Sequence, residues 1–320
     1  MAGGTTPGRP PSGNVDAVIE IRDLTKRYGR TTAVDRLTLT VRPGHVTGFL
    51  GPNGAGKSTT LRLLLGLHRP TSGSALVDGQ PFAARRRGLR HVGALLDAGD
   101  VHGGRSARSH LRALAASNAI GRSRVDEVLG EVGLSDVAGR RIGGFSLGMK
   151  QRLGIAAALL GDPPTLLFDE PFNGLDPAGV RWVRELFQRL AAEGRTILVS
   201  SHLMSEMEQT AQHLVVIGRG ELIADESLAE FAARSVQAQV VVRTPDPAAL
   251  TVAVREAGAD VGTAPDGALT VTGLSPTALG DLAFTRGIPV HELITRSTSL
   301  EEAFMNLTAD RVEYRAGEHR

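Results

Sequence analysis

The sequence predicts an α/β protein with a helical insertion in its sheet and a small C-terminal α+β unit. Three observations predict it. Short apolar runs alternate with amphipathic helical stretches over 17–227. A stretch over about 97–150 is rich in helix formers and poor in strand formers. Beyond about 235 the order of elements becomes β-α-β-β-α-β, the ferredoxin-like arrangement. A chain of 320 residues has room for one large unit and a smaller one. The expected division is 17–234 for the large unit and 235–309 for the small one. Tails are expected at 1–16 and 310–320.

The elements follow in chain order. The opening "MAGGTTPGRPPSGN" lacks the apolar core of a signal peptide and has the composition of a disordered tail. "HVTGFL" is a short buried strand, and "STTLRLLLGL" an amphipathic helix. In the insertion, "SARSHLRALAAS" and "SRVDEVLGEVG" are helices, followed by "FSLGMKQRL", a serine-capped basic amphipathic helix. "PTLLFDE" and "RTILVSS" are strands flanking the helix "VRWVRELFQRLAAEG". Strands alternating with helices imply a parallel or mixed sheet covered on both faces.

After the helix "SLAEFAARS", "AQVVVRT" is a strand and "PAALTVAVREAG" a helix opened by Pro247. "ADVGT" and "ALTVTG" form a hairpin pair. "SPTALGDLAFTRG" is a serine-capped helix, "IPVHELI" a strand and "TSLEEAFMNLT" the last helix.

Bulk properties narrow the function. The formal net charge is only +2 and arginine is interspersed with acids, so nothing argues for nucleic acid. No window reaches the roughly 18 apolar residues a membrane span needs, and the chain is expected to be soluble and intracellular. Cysteine is absent, which excludes disulfides and thiolate metal sites.

"GFLGPNGAGKSTTLRLLL" places a G-x-x-x-x-G-K-S loop between an apolar strand and an amphipathic helix, the context this motif requires. Gly51, Gly54 and Gly56 let the backbone turn its N–H groups inward around phosphate oxygens. Pro52, Asn53, Ala55 and Thr59 complete the nucleotide-binding loop. Lys57 supplies a point charge at the β- and γ-phosphates, and Ser58 offers a hydroxyl to Mg²⁺. The helix start aims its positive end at the same charge. Asp169, at the end of "TLLFD", fits a Mg²⁺-side carboxylate, and Glu170 is placed to polarise the attacking water. His202 in "SSH" comes off a strand end within reach of a γ-phosphate. A phosphate loop alone is equally compatible with GTPases, kinases and motors.

The stretches "GPNGAGKST", "FSLGMKQRL", "LLFDEP", "NGLDP" and "SSH", in this order, resemble the ATP-binding cassette (ABC) ATPases, in the bacitracin- and daunorubicin-type drug exporters of the ABC-2-type branch. The resemblance covers about 17–227. It implies a nucleotide-binding subunit that binds ATP with Mg²⁺ and hydrolyses it. It also implies a second copy of the chain packed head to tail, separate transmembrane permease subunits, and a peripheral place at the cytoplasmic face of the membrane. Ser146, Leu147, Gly148 and Met149 stand where the family carries its L-S-G-G-Q signature, which completes the ATP site of the other copy. Leu147 and Met149 depart from that pattern.

By the same resemblance Tyr28 stacks on adenine and Asp176 contacts the partner copy. Asp97 stands at the position usually held by a glutamine, where a carboxylate remains able to bind Mg²⁺. Capping of the insertion's first helix is the other reading of Asp97. The accessory unit resembles the appendage of this branch by layout. A soluble ABC ATPase acting on DNA or ribosomes fits less well, because the interval between loop and signature is too short for a coiled coil and one phosphate loop is present. A nucleotide-gated scaffold without turnover is disfavoured by Glu170 and His202, and an importer remains open.

Overall fold

The computed structural model describes residues 19–235, 238–264, 266–297 and 299–309. The expected tails at 1–16 and 310–320 lie outside them. The chain begins with β1 (Ile19–Tyr28), β2 (Thr31–Val41) and β3 (Val46–Leu50), then α1 (Lys57–Leu64), β4 (Ser72–Val77) and β5 (Val92–Leu95). The insertion follows as α2 (Ala107–Ser117), α3 (Arg122–Glu131) and α4 (Leu147–Leu159). Then come β6 (Thr165–Asp169), α5 (Pro177–Ala192), β7 (Thr196–Ser201), α6 (Met204–Glu208), β8 (His213–Gly218), β9 (Glu221–Ser227) and α7 (Leu228–Ser235).

A six-stranded sheet has the order β5-β6-β7-β3-β8-β9. Its pairings are parallel except β8 with β9. Every residue of β3, β6 and β7 is buried, as expected of central strands covered on both faces. The helical insertion lies between two strands of this sheet, as the sequence predicts. A second sheet, β2-β1-β4, is antiparallel and was not anticipated. Its core, around Ile19, Leu24, Leu37 and Val77, is continuous with Phe49 and Leu61.

Register fixes where the loops meet. Leu50 lies opposite Ser201, and Asp169 opposite Ser200. The C-terminal ends of β3, β6 and β7 therefore sit side by side, which gathers the phosphate loop, the Asp169–Glu170 pair and His202 at one edge. Open α/β sheets bind their ligands at that edge.

The remaining elements are β10 (Ala238–Arg243), α8 (Pro247–Glu256), β11 (Asp260–Thr263), β12 (Leu269–Thr272), α9 (Pro276–Thr285), β13 (Glu292–Ser297) and α10 (Leu300–Thr308). The sheet order β11-β12-β10-β13, antiparallel throughout, is the expected ferredoxin-like one. Val240, Val242 and Val271 form its core with Leu250, Val254, Leu279 and Ala283 of the two helices. Two details differ from the sequence reading. The last strand starts at Glu292 rather than Ile288: Pro289 has no N–H to donate, and pairing opens with His291 N donating to Arg243 O at 2.8 Å. Helix α10 packs on α6 and α7, and Leu300, Ala303, Phe304 and Leu307 join the core of the large sheet.

Candidate functional site

The phosphate loop is built by backbone constraint. Gly54 and Gly56 have φ of 83° and 104°, where a side chain is disfavoured. A Cβ on Gly56 would stand 2.4 Å from Ala33 O, and one on Gly51 2.5 Å from Ile217 O. Glycine is thus enforced by close packing at Gly51, by φ at Gly54, and by both at Gly56. Gly56 also precedes α1 with no side-chain cap, leaving the first N–H groups to the cavity. That cavity, about 240 Å³, is lined by Ala33, the loop from Pro52 to Thr59, and Glu170.

Lys57 is only 6% exposed. Its ammonium donates to Gly51 O at 2.6 Å and Pro52 O at 3.4 Å, and lies 3.6 Å from Glu170 Oε1. Burial pushes it below the ordinary lysine value, while the charges of Glu170 and Asp169 pull the other way. The cradle of free N–H groups with one cation at its floor fits a polyphosphate. Ser58 lines the cavity, and Asp169 ends β6 with its Oδ1 accepting from Ser200; the hydroxyl and the carboxylate are hard oxygen donors of the kind Mg²⁺ takes.

Glu170 sits at φ 48°, a left-handed conformation that costs energy outside glycine. Both its backbone ends are tied. Its N–H donates to Ser200 Oγ at 3.0 Å, and its carbonyl accepts from Gln151 Nε2 at 3.1 Å. Ser200 also donates to Asp169 Oδ1 at 2.5 Å. The Glu170 carboxylate meets His202 Nδ1 with both oxygens at 3.0 Å. Sequence reading placed Glu170, His202 and Lys57 in one site, and the structure brings them together.

Other predicted residues stand outside the cavity lining. Ser146 caps α4, its Oγ accepting from Met149 N at 3.2 Å, and Leu147 is 54% exposed beside it. Leu147 packs on Gly174, where an added Cβ would come within 2.3 Å of the leucine. Gly148 faces Gly174 O. Asp176 caps α5 by accepting from Gly179 N at 2.8 Å. Tyr28 ends β1 with 44% of its surface exposed.

Asp97 folds back on its own turn and accepts from Gly99 N at 2.7 Å. It does not cap the insertion's first helix: Ser106 does, through Ser109 N. The reason is distance along the chain, since α2 starts ten residues later, at Ala107.

Sequence reasoning missed Ser200, Gln151 and Glu206. Glu206, on α6, accepts from Ser201 Oγ at 2.6 Å. Burial raises its carboxyl above the ordinary value against that bond, and nearby Glu170 adds to the rise. "SSH" pointed at Ser200; nothing in the sequence marks Gln151 or Glu206.

The family described as ABC transporter matches residues 34–173, and a domain of unknown function matches 238–301. The chain is 44% identical over 216 residues to the bacitracin transport ATP-binding protein BcrA of Bacillus licheniformis, spanning 66% of this chain and 70% of that one. The chain belongs to the ABC transporter ATP-binding proteins. Among other family members, it is 38% identical over 208 residues to the lantibiotic transport ATP-binding protein SrtF of Streptococcus pyogenes, covering 65% of this chain and 90% of that one. It is also 38% identical over 241 residues to the Nod factor export ATP-binding protein I of Paraburkholderia xenovorans, covering 73% and 79%.

A solved ATP binding subunit of an ABC transporter superposes with TM-score 0.63 at 27% identity, covering 68% of this chain and 92% of that one. A dimeric cassette with ADP and Pi shares the fold, with TM-score 0.61 at 24% identity over 66% and 98% of the two chains. This ABC chain is accordingly an ATP-binding ATPase subunit of a transporter. No helix among its described residues is long and apolar enough to cross a membrane.

Proposed function

We propose that this chain is the motor of a membrane exporter, working as a head-to-tail pair of identical copies. The pair drives separate transmembrane permease subunits from the cytoplasmic face of the membrane. One observation carries the pairing. The N-terminus of α4, with Ser146 and exposed Leu147, takes no part in lining the cavity that holds Lys57. A helix start of this kind recognises anions, and a second copy's ATP is the anion that the pairing supplies.

In each site Lys57 exchanges its contact with Glu170 for phosphate oxygens. Glu170, then free of the ammonium, orients and polarises the attacking water, and His202 holds that carboxylate from the other side. Ser146, Gly148 and the α4 dipole of the other copy bind the γ-phosphate, with Leu147 and Met149 beside them. Asp176 stiffens the loop after Glu170 at the same face. Tyr28 stacks on adenine. Ser58 and Asp169 would hold Mg²⁺, which neutralises phosphate charge when bound. Asp97, engaged in its own turn, shapes the loop that leads from the sheet into the insertion, toward the permease.

The proposed division is a motor over 17–234 and an accessory unit over 235–309, the latter returning α10 to the motor's core. Relatives named for bacitracin and lantibiotic transport and for Nod factor export support an antibiotic or lipid-like cargo moved outward. Glu170→Gln tests the pairing: it should lower turnover about 100-fold or more yet form a lasting dimer with ATP in size-exclusion chromatography. A variant that binds ATP but elutes only as monomer would contradict it.

A further inference from the structure

Tyr28 stands at the very end of β1, half exposed, where an unsupported ring would sample several rotamers. It is instead held from two directions. Its phenolic oxygen lies 2.6 Å from His68 Nδ1, and the two rings meet edge to face at 78° with centroids 5.8 Å apart. The Lys26 ammonium lies over the Tyr28 ring, 4.9 Å from its centroid, and donates to Arg69 O at 2.8 Å. The segment carrying His68 is itself fixed. His68 N donates to Arg62 O of α1, Arg27 N donates to Thr71 Oγ1, and Thr71 N donates to Thr25 O. This clamp ties the end of β1 to the helix whose other end carries the phosphate loop.

We propose that His68 is a positioning residue for nucleotide recognition, holding the Tyr28 ring at a fixed angle so that it offers one face to the adenine base. This rests on the reading of Tyr28 as the adenine platform. Lys26 occupies one face, so a base stacks on the other. Base–aromatic stacking contributes modestly per base and falls away when the ring must first be ordered, so a preset ring binds more tightly. Either tautomer of His68 makes the bond, as acceptor from the phenol or as donor to it. A glutamine at the position can do the same.

The test compares Mg-ATP with inorganic tripolyphosphate, which has the phosphates and no base, by calorimetry on the full chain. His68→Ala should weaken ATP about five-fold, as expected for loss of one hydrogen bond, and leave tripolyphosphate unchanged. Tyr28→Phe should cost the same, the double variant no more than either single one, and His68→Gln should recover most of the loss. Equal losses for ATP and tripolyphosphate in His68→Ala would overturn the proposal, since the effect would then be on the phosphate loop. So would wild-type ATP affinity in His68→Ala while Tyr28→Ala binds poorly: the platform would stand and the positioning would not. If Tyr28→Ala also binds ATP normally, the platform reading itself fails.

Discussion

Two helix starts in this chain, which the proposed pairing sets on the same phosphates, are built differently. At α1, Gly56 leaves the first N–H groups uncapped, Lys57 is buried, and the surrounding loop closes a cavity with Glu170. At α4, Ser146 caps its own helix and the adjoining Leu147 is exposed. The first is a finished half-site with its charge in place. The second presents a hydroxyl and a dipole outward, and its nearest neighbours are Gly174 and the loop that Asp176 anchors. Within one chain Gln151 of α4 links the two from the back, where its Nε2 donates to the Glu170 carbonyl. In the proposed pairing, this capped and exposed helix start is the one that the other copy's site receives.

The largest expected effect breaks the first half-site. Lys57→Ala should weaken ATP on the order of 100-fold, because Lys57 is the one basic side chain among the described residues that line the cradle. Calorimetry measures this directly, and parent-like affinity would undo the assignment of the loop. A smaller effect tests the link between the two helix starts. Gln151→Leu keeps side-chain bulk but removes the donor to Glu170 O, and Glu170 already bears a strained φ. Turnover should fall about ten-fold with ATP affinity unchanged; unchanged turnover would show that the bonds from Glu170 N to Ser200 and from Asn173 N to Glu170 O hold Glu170 without it.

The smallest effect concerns Glu206. Its native carboxyl value lies above the unfolded one, so the folded chain holds the extra proton between the two. Stability from this group is therefore full below the ordinary carboxylate range and is lost as pH rises through the native value. Glu206→Gln carries no such charge. It should melt roughly 2 °C above the parent at neutral pH, with the gap closing on acidification. A variant less stable than the parent at neutral pH would mean that the Ser201 bond outweighs the burial of charge.

Much of the phosphate site was legible because it is contiguous. From Gly51 to Ser58 each position acts through its own backbone or a single side chain, and strand and helix flank it directly. Glu170 and His202 were legible for a related reason, since each follows a buried strand whose end must lie at the ligand edge. Gln151 and Glu206 were not: an ordinary glutamine or glutamate inside a helix acquires its role only when the fold sets another element against it.

The same limit applies to the β2-β1-β4 sheet, whose β1–β4 pairing joins residues about fifty apart across a bulged register. Helix α10 shows the boundary sharply. Its apolar positions at Leu300, Ala303, Phe304 and Leu307 announce a buried face, yet nothing in the sequence says that the face belongs to the large core. Asp97 is similar: its type suggested a metal ligand or helix cap, and a turn two residues long uses it.

The comparison between the two helix starts is tested most directly by mixing damaged chains. Ser146→Arg spoils the outward-facing half-site and Lys57→Ala the enclosed one, and each variant alone should be inactive in ATP hydrolysis. In a head-to-tail pair of one each, both lesions fall in one site and the other site is intact. Hydrolysis should reappear in the mixture, rising toward equal proportions of the two chains. Hydrolysis by Ser146→Arg alone at the parent's rate, with nothing gained on mixing, would contradict the pairing.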